Sequence, residues 1–115
     1  MNMRDVIPVC PHGRRNMLDF SLVAFLDWLE RVVEGDLNLS SGYRCVECNR
    51  AAGGEENSAH LRGKAVDIVP RSPWQRYEIL GVAFLRGIKR IGIEKDHIHL
   101  DVDESLAQEV LWIDP

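Results

Sequence analysis

The chain has 115 residues, 45% of them apolar and 28% charged, which is enough for one domain with its own core and excludes a disordered, collagenous or membrane-spanning chain. Lys and Arg number 14 against 18 Asp and Glu, a net charge of -4. No basic run could neutralise a row of phosphates, so nucleic acid is not an expected partner.

The first 18 residues form an N-terminal arm. Its longest apolar stretch, Val6 to Cys10, is broken by Pro8 and has no small-residue cleavage site behind it, so it does not read as a signal peptide. No window approaches the ~18 apolar residues of a membrane span, and the expectation is a chain that is cytoplasmic as synthesised, with no membrane insertion. Asp19 can cap a helix over residues 20–34, in which Phe20, Val23, Ala24, Trp28, Leu29 and Val32 recur at helical spacing until Gly35. Phe20, Phe25, Trp28 and Phe84 are expected in the core.

Leu37 to Ser40 alternates like a short strand, and 49–58 reads as a Gly- and Asn-rich loop. Ala65 to Val69 is a β-branched strand closed by Pro70, with Asp67 in its middle. Ser72 and Pro73 start a second helix that runs to Gly87. Residues 88–93 and 97–102 then read as strands joined by the polar turn Glu94-Lys95-Asp96. In the last strand Ile98, Leu100 and Val102 face the core, and His97, His99, Asp101 and Asp103 face the other way. Without a regular βαβ alternation, the expected fold is α+β, a small and mainly antiparallel sheet with flanking helices. One domain spans 1–115, with a core at 19–103 and a C-terminal segment at 104–115.

His60, Asp67 and His99 form a possible metal set. Two imidazoles and one carboxylate leave the fourth position of zinc open to water, the arrangement of a catalytic rather than a structural site. The competing reading is that each histidine is an ordinary hydrogen-bonded residue. Asp67 weighs against it, because a carboxylate inside a strand must be paired or coordinated. Asp101 reads as a group that fixes an imidazole tautomer, and Ser58 as a hydroxyl that orients a site carboxylate or substrate, or caps a turn. A nucleophilic triad built on Ser58 is disfavoured, since no G-x-S-x-G elbow surrounds it. Cys45 and Cys48, with Cys10 and His12, could form a structural zinc site that ties the arm to the central loop. Simple burial of three thiols is the reading that the unusual spacing favours; a disulfide is not expected in a reducing compartment.

The motif S-x-H-x-x-G-x-A-x-D at Ser58, His60, Gly63, Ala65 and Asp67, and H-x-H-x-D at His97, His99 and Asp101, follow an upstream Ser41-Gly42-Tyr43-Arg44, Asn49 and Gly53-Gly54. In this combination the chain resembles the zinc D-Ala-D-Ala carboxypeptidase family of peptidases, from about Phe20 to Asp103. The resemblance implies the fold shared with the signalling domain of hedgehog proteins, one catalytic zinc on His60, Asp67 and His99, and hydrolysis of bacterial peptidoglycan peptides at a D-Ala-D-Ala or an L-Ala-D-Glu type bond. It also implies Asp96 as the acid/base carboxylate, with His97 the next candidate, whereas residue type alone makes Asp96 a turn residue. Arg44 aligns with an arginine that faces the substrate carboxylate or the oxyanion; a structural ion pair to Asp67 or Asp101 is the alternative. A phage lysin released to the wall, a bacterial remodelling enzyme, a recycling enzyme and a non-catalytic zinc-binding module of the same fold all fit these residues.

Overall fold

A carboxylate starts the first helix. In the computed structural model, which describes residues 2–114, Asp19 accepts from the backbone N–H groups of Ser21 and Leu22, and helix α1 runs Phe20–Val32, satisfying donors that a helix start leaves open. It is followed by strand β1 (Leu39–Ser41), helix α2 (Val46–Ala51), strand β2 (Ala65–Ile68), helix α3 (Pro73–Leu85), and strands β3 (Arg90–Glu94), β4 (Ile98–Asp101) and β5 (Val110–Asp114). Short 3-10 turns occupy Met3–Asp5, Arg15–Met17 and Ala59–Arg62. Ser72 caps α3 through the N–H of Gln75, with Pro73 in its first turn.

The five strands are ordered β1-β2-β4-β3-β5. Neighbours are antiparallel except β3 and β5, which run parallel. The chain is thus α+β with a mainly antiparallel sheet and flanking helices. The pairing sets Ser41 opposite Asp67, Asp67 opposite His99, His99 opposite Gly92, and Gly92 opposite Trp112. Directly opposed residues share a face of the sheet, so one row across all five strands carries two prospective ligands and an indole. Alternation along the strands sends Val66, Ile68, Ile91, Ile98 and Leu100 to the other face, where they join Leu22, Leu26 and Leu29 of α1 and Ile79 and Ala83 of α3 in the core. One face therefore holds the fold together and the other is free for chemistry.

Two glycines are fixed by close approach. Gly63, at φ +68°, would place a Cβ 1.8 Å from the Met17 carbonyl oxygen, so the turn after His60 can pass the arm only without a side chain. A Cβ on Gly92 would lie 2.4 Å from the Trp112 indole; the gap in the row is what lets Trp112 lie over β3.

The helix stripe differs in phase from the expectation. Leu22, Val23, Phe25, Leu26 and Leu29 are buried, whereas Phe20 is 81% exposed and Val32 and Phe84 are also exposed. Phe20 is the first helical residue and projects beyond the end of the layer it was expected to fill, and Trp28 is half-buried beneath the Arg86 guanidinium. Helix α1 ends at Val32 rather than at residue 34, with the Val33 N–H closing on the Leu29 carbonyl. Helix α2 begins ahead of the expected central loop and takes in its first residues, and β5 arises in the C-terminal segment. The arm is anchored: Met3 and Ile7 are buried, and Val9 bridges Tyr43.

Candidate metal centres and cleft

His60 stands in the 3-10 turn Ala59–Arg62, whose cap is Ser58: its Oγ accepts from the His60 backbone N–H at 3.1 Å. His60 Nδ1 lies 2.6 Å from the Gly42 carbonyl, which only an N–H can satisfy, and its Nε2 faces Asp67 Oδ1 at 3.2 Å. His99 repeats the arrangement with its nitrogens exchanged. Its Nε2 lies 2.7 Å from Asp101 Oδ2 and its Nδ1 3.2 Å from the same Asp67 oxygen. Two neutral imidazoles tied in this way aim lone pairs at a carboxylate oxygen, and three acceptors can share that space only around protons or a cation. The donor atoms of His60, Asp67 and His99 all lie within 4.8 Å of one another. The residues present therefore fit a divalent metal with two nitrogen and one oxygen ligands.

Without metal, protons fill that role. Burial opposes ionisation of Asp67, but the bonds from His60 and His99 outweigh it and hold the carboxyl well below the usual range. Burial likewise disfavours charge on His99, yet its bonds to Asp101 and Asp67 raise it to about 9. Asp101 is buried and also accepts from Arg90 Nε at 2.8 Å and from the Asp103 N–H at 3.1 Å, so the acceptor that orients His99 is itself fixed.

Arg44 is held at each nitrogen. Nε donates to Ser41 Oγ at 2.9 Å, Nη1 to Asn49 Oδ1 at 3.3 Å and Nη2 to Asp67 Oδ2 at 3.1 Å. The ion pair is thus with Asp67 rather than Asp101, and one N–H on each Nη remains uncommitted. These contacts give Ser41 and Asn49 physical tasks.

The ligand row forms the floor of a cleft of about 800 Å³, walled by Arg44, the 53–58 loop, Arg90, Glu94, His97 and Trp112. Ser58 and Asp101 also line it. Asp96 does not. It sits in the turn before β4 with its side chain 84% exposed and its Oδ1 2.8 Å from His97 Nδ1. At the turn, whose direction strand alternation leaves open, its carboxylate points to solvent and meets the cleft through His97. His97 Nε2 points inward, 3.8 Å from Asp67 Oδ2 and paired with Glu94. Glu94, read from sequence as a turn residue, is the last residue of β3. Strand alternation from Ile91 and Ile93 places Arg90, Gly92 and Glu94 on the ligand face, and extending the expected strand by one residue would have found it. Trp112, 5.3 Å from the His99 ring, had no such signal.

A second cluster joins the arm to α2. Cys45 Sγ and Cys48 Sγ lie 3.4 and 3.7 Å from His12 Nδ1, and Cys10 Sγ accepts from the Cys45 N–H at 3.3 Å. All four donor atoms fall within 4.8 Å of one another. None of the three thiols is buried, which corrects the simple-burial reading. The Cys48 thiol is pushed up to about 11, chiefly by its bond to Cys45.

Two comparisons bear on this geometry. The family model for Peptidase M15 matches residues 9–101, a stretch that contains both clusters and ends before β5. No curated protein matches the chain.

Proposed function

Since the chain belongs to the Peptidase M15 family, we propose that it is a zinc-dependent peptidase that hydrolyses peptide bonds in the stem peptides of bacterial peptidoglycan. The observation that carries this reading is the convergence of His60 Nε2, His99 Nδ1 and Asp67 Oδ1 on one point, with the outer nitrogen of each imidazole already tied back. Three protein ligands on the floor of a cleft leave room for water and substrate. Zinc held there supplies a Lewis acid and lowers the pKa of a bound water toward ~7.

The chain's own residues supply the rest. Glu94 and His97 face the cleft as a pair and take the proton that water loses as its oxygen attacks the scissile carbonyl carbon. They return it to the amine nitrogen as the C–N bond breaks. Asp96 positions His97 by accepting from Nδ1. The free N–H groups of Arg44 meet the substrate carboxylate or the developing oxyanion, a task for which a rigid two-pronged cation suits better than a point charge. Asp101 and the Gly42 carbonyl hold the two imidazoles in their ligating tautomers.

Incubating the zinc-loaded protein with peptidoglycan stem peptides and weighing the products tests the reading. Loss of a terminal D-Ala identifies a carboxypeptidase, and internal L-Ala-D-Glu type cleavage an endopeptidase. A zinc-loaded protein that leaves every such peptide intact is instead an inert metal-binding module of this fold.

A further inference from the structure

Cys10, His12, Cys45 and Cys48 have no part in that reaction. We propose that they bind a second, structural divalent cation, zinc by their donor chemistry, which clamps the N-terminal arm to the segment that carries Arg44. The four side chains come from two segments more than 30 residues apart in sequence; packing of Ile7, Val9 and Tyr43 brings the two segments together, but the four donor side chains themselves lie outside that core. His12 is exposed and the three thiols are half-exposed. Docking accounts for the meeting of the segments but not for four half-exposed or exposed donors turned to one point, which coordination does.

Their geometry suits a tetrahedral ion. With Zn–S near 2.3 Å and Zn–N near 2.0–2.1 Å, the sulfur-to-nitrogen edge of the tetrahedron is about 3.6 Å. The two measured edges, 3.4 and 3.7 Å from His12 Nδ1 to Cys45 and Cys48, bracket that length. Backbone donors are also in place for thiolates: the Cys45 N–H points at Cys10 Sγ at 3.3 Å, and the Cys48 N–H at Cys45 Sγ at 3.4 Å. Four protein ligands close the coordination shell, so the ion has no open position for substrate and its task is structural.

The clamp completes a junction that the backbone begins. Cys10 N donates to the Tyr43 carbonyl at 3.0 Å, and Arg44 N donates to the His60 carbonyl at 3.1 Å, so the Tyr43–Arg44 peptide unit between the two clusters is tied on both sides. Because the ligands are not preassembled in the unfolded chain, ion binding is coupled to docking of the arm.

The test uses the full chain purified under reductant, with metal content measured by elemental analysis and with cobalt(II) as a spectroscopic substitute. The expected parent holds about two equivalents of zinc, and its cobalt form shows thiolate-to-cobalt charge-transfer absorption. That absorption and about one equivalent are lost in Cys48→Ser and kept in His99→Ala, which loses the other equivalent. Should the cysteine variant fail to fold, His12→Ala, which alters an exposed side chain and leaves three thiolates, is expected to lose its thiolate-bound cobalt to a chelator at a concentration that leaves the parent's absorption intact. A parent that holds about one equivalent with three titratable thiols and no thiolate absorption overturns the proposal. So does a cysteine pair oxidised to a disulfide in the reduced preparation, or a Cys48→Ser protein that keeps both ions.

Discussion

The two donor clusters of this small chain are built in opposite ways. His99 and Asp67 lie directly opposite each other on paired strands, and His60 is fixed beside them by a capped turn; the positions are set by a ladder of backbone hydrogen bonds. Cys10, His12, Cys45 and Cys48 lie on an arm and at the start of a six-residue helix, and they meet only because those segments dock. The first cluster offers three donors at the floor of a cleft, the second four donors at a seam. A rigid frame with an open shell suits chemistry, because the reacting water needs a vacant position and fixed neighbours. A soft frame with a closed shell suits assembly, because the ion itself supplies the rigidity.

Asp67→Asn separates the two clusters most strongly. It removes the carboxylate that both imidazoles and Arg44 face, and the expected result is loss of the cleft metal and of detectable peptide hydrolysis, with the thiolate cluster unaffected in the cobalt spectrum. Equal loss from both clusters would show that they are not independent.

Next in size is Glu94→Gln. Hydrolysis should fall by ~10²- to 10⁴-fold at unchanged metal content, while Asp96→Asn, which alters only the group behind His97, should cost less. Turnover and zinc content measured on both variants decide between them, and a larger loss from Asp96→Asn would return the base to the turn.

A smaller effect is expected from Asp101→Asn. The amide keeps one acceptor for His99 but weakens the bond that fixes its tautomer, so affinity for the cleft metal should drop by ~10- to 100-fold. Competition with a chelator of known affinity measures it.

The smallest effect is a pH dependence in the metal-free protein. His99 is raised to about 9 when folded, against ~6.5 when unfolded, so its protonated form contributes stability that is full below ~6.5 and fades as pH rises through 9. Stripped protein should therefore melt above stripped His99→Gln at pH 6, and the margin should shrink toward pH 9. A margin that grows with pH would mean that His99 is not held by the two carboxylates.

Much of the cleft was legible in the sequence because its ligands follow strand and turn rules. Asp67 is conspicuous as a carboxylate inside a β-branched run, and the alternation of residues 97–102 separates His99 and Asp101 from the core. Asp96 was not legible in the same way, since a turn residue obeys no alternation and backbone geometry alone decides where it points. Strand β5 escaped because Leu111 and Ile113 are apolar yet exposed, so Val110 to Ile113 presents no polar face to betray a period. The phase of α1 departs from its sequence periodicity for a related reason: Phe20 is aromatic but lies at the helix start, outside the layer that Leu22, Leu26 and Leu29 fill. The meeting of Cys10 and His12 with Cys45 and Cys48 depends on how the arm docks, which spacing does not encode.

Strand β5 has a consequence for how such a protein can diversify. The matched stretch ends at residue 101, and the indole of Trp112 still forms part of the cleft wall, seated over the gap at Gly92. The candidate ligand row and most of the cleft wall thus lie inside the matched stretch, and the part of the wall made by Trp112 and Asp114 lies outside it. Drift in residues 110–114 can reshape the entrance while the ligand row stays intact, provided Gly92 is retained wherever a large side chain occupies position 112. Variant libraries confined to that strand would vary one wall of the cleft without touching His60, Asp67 or His99.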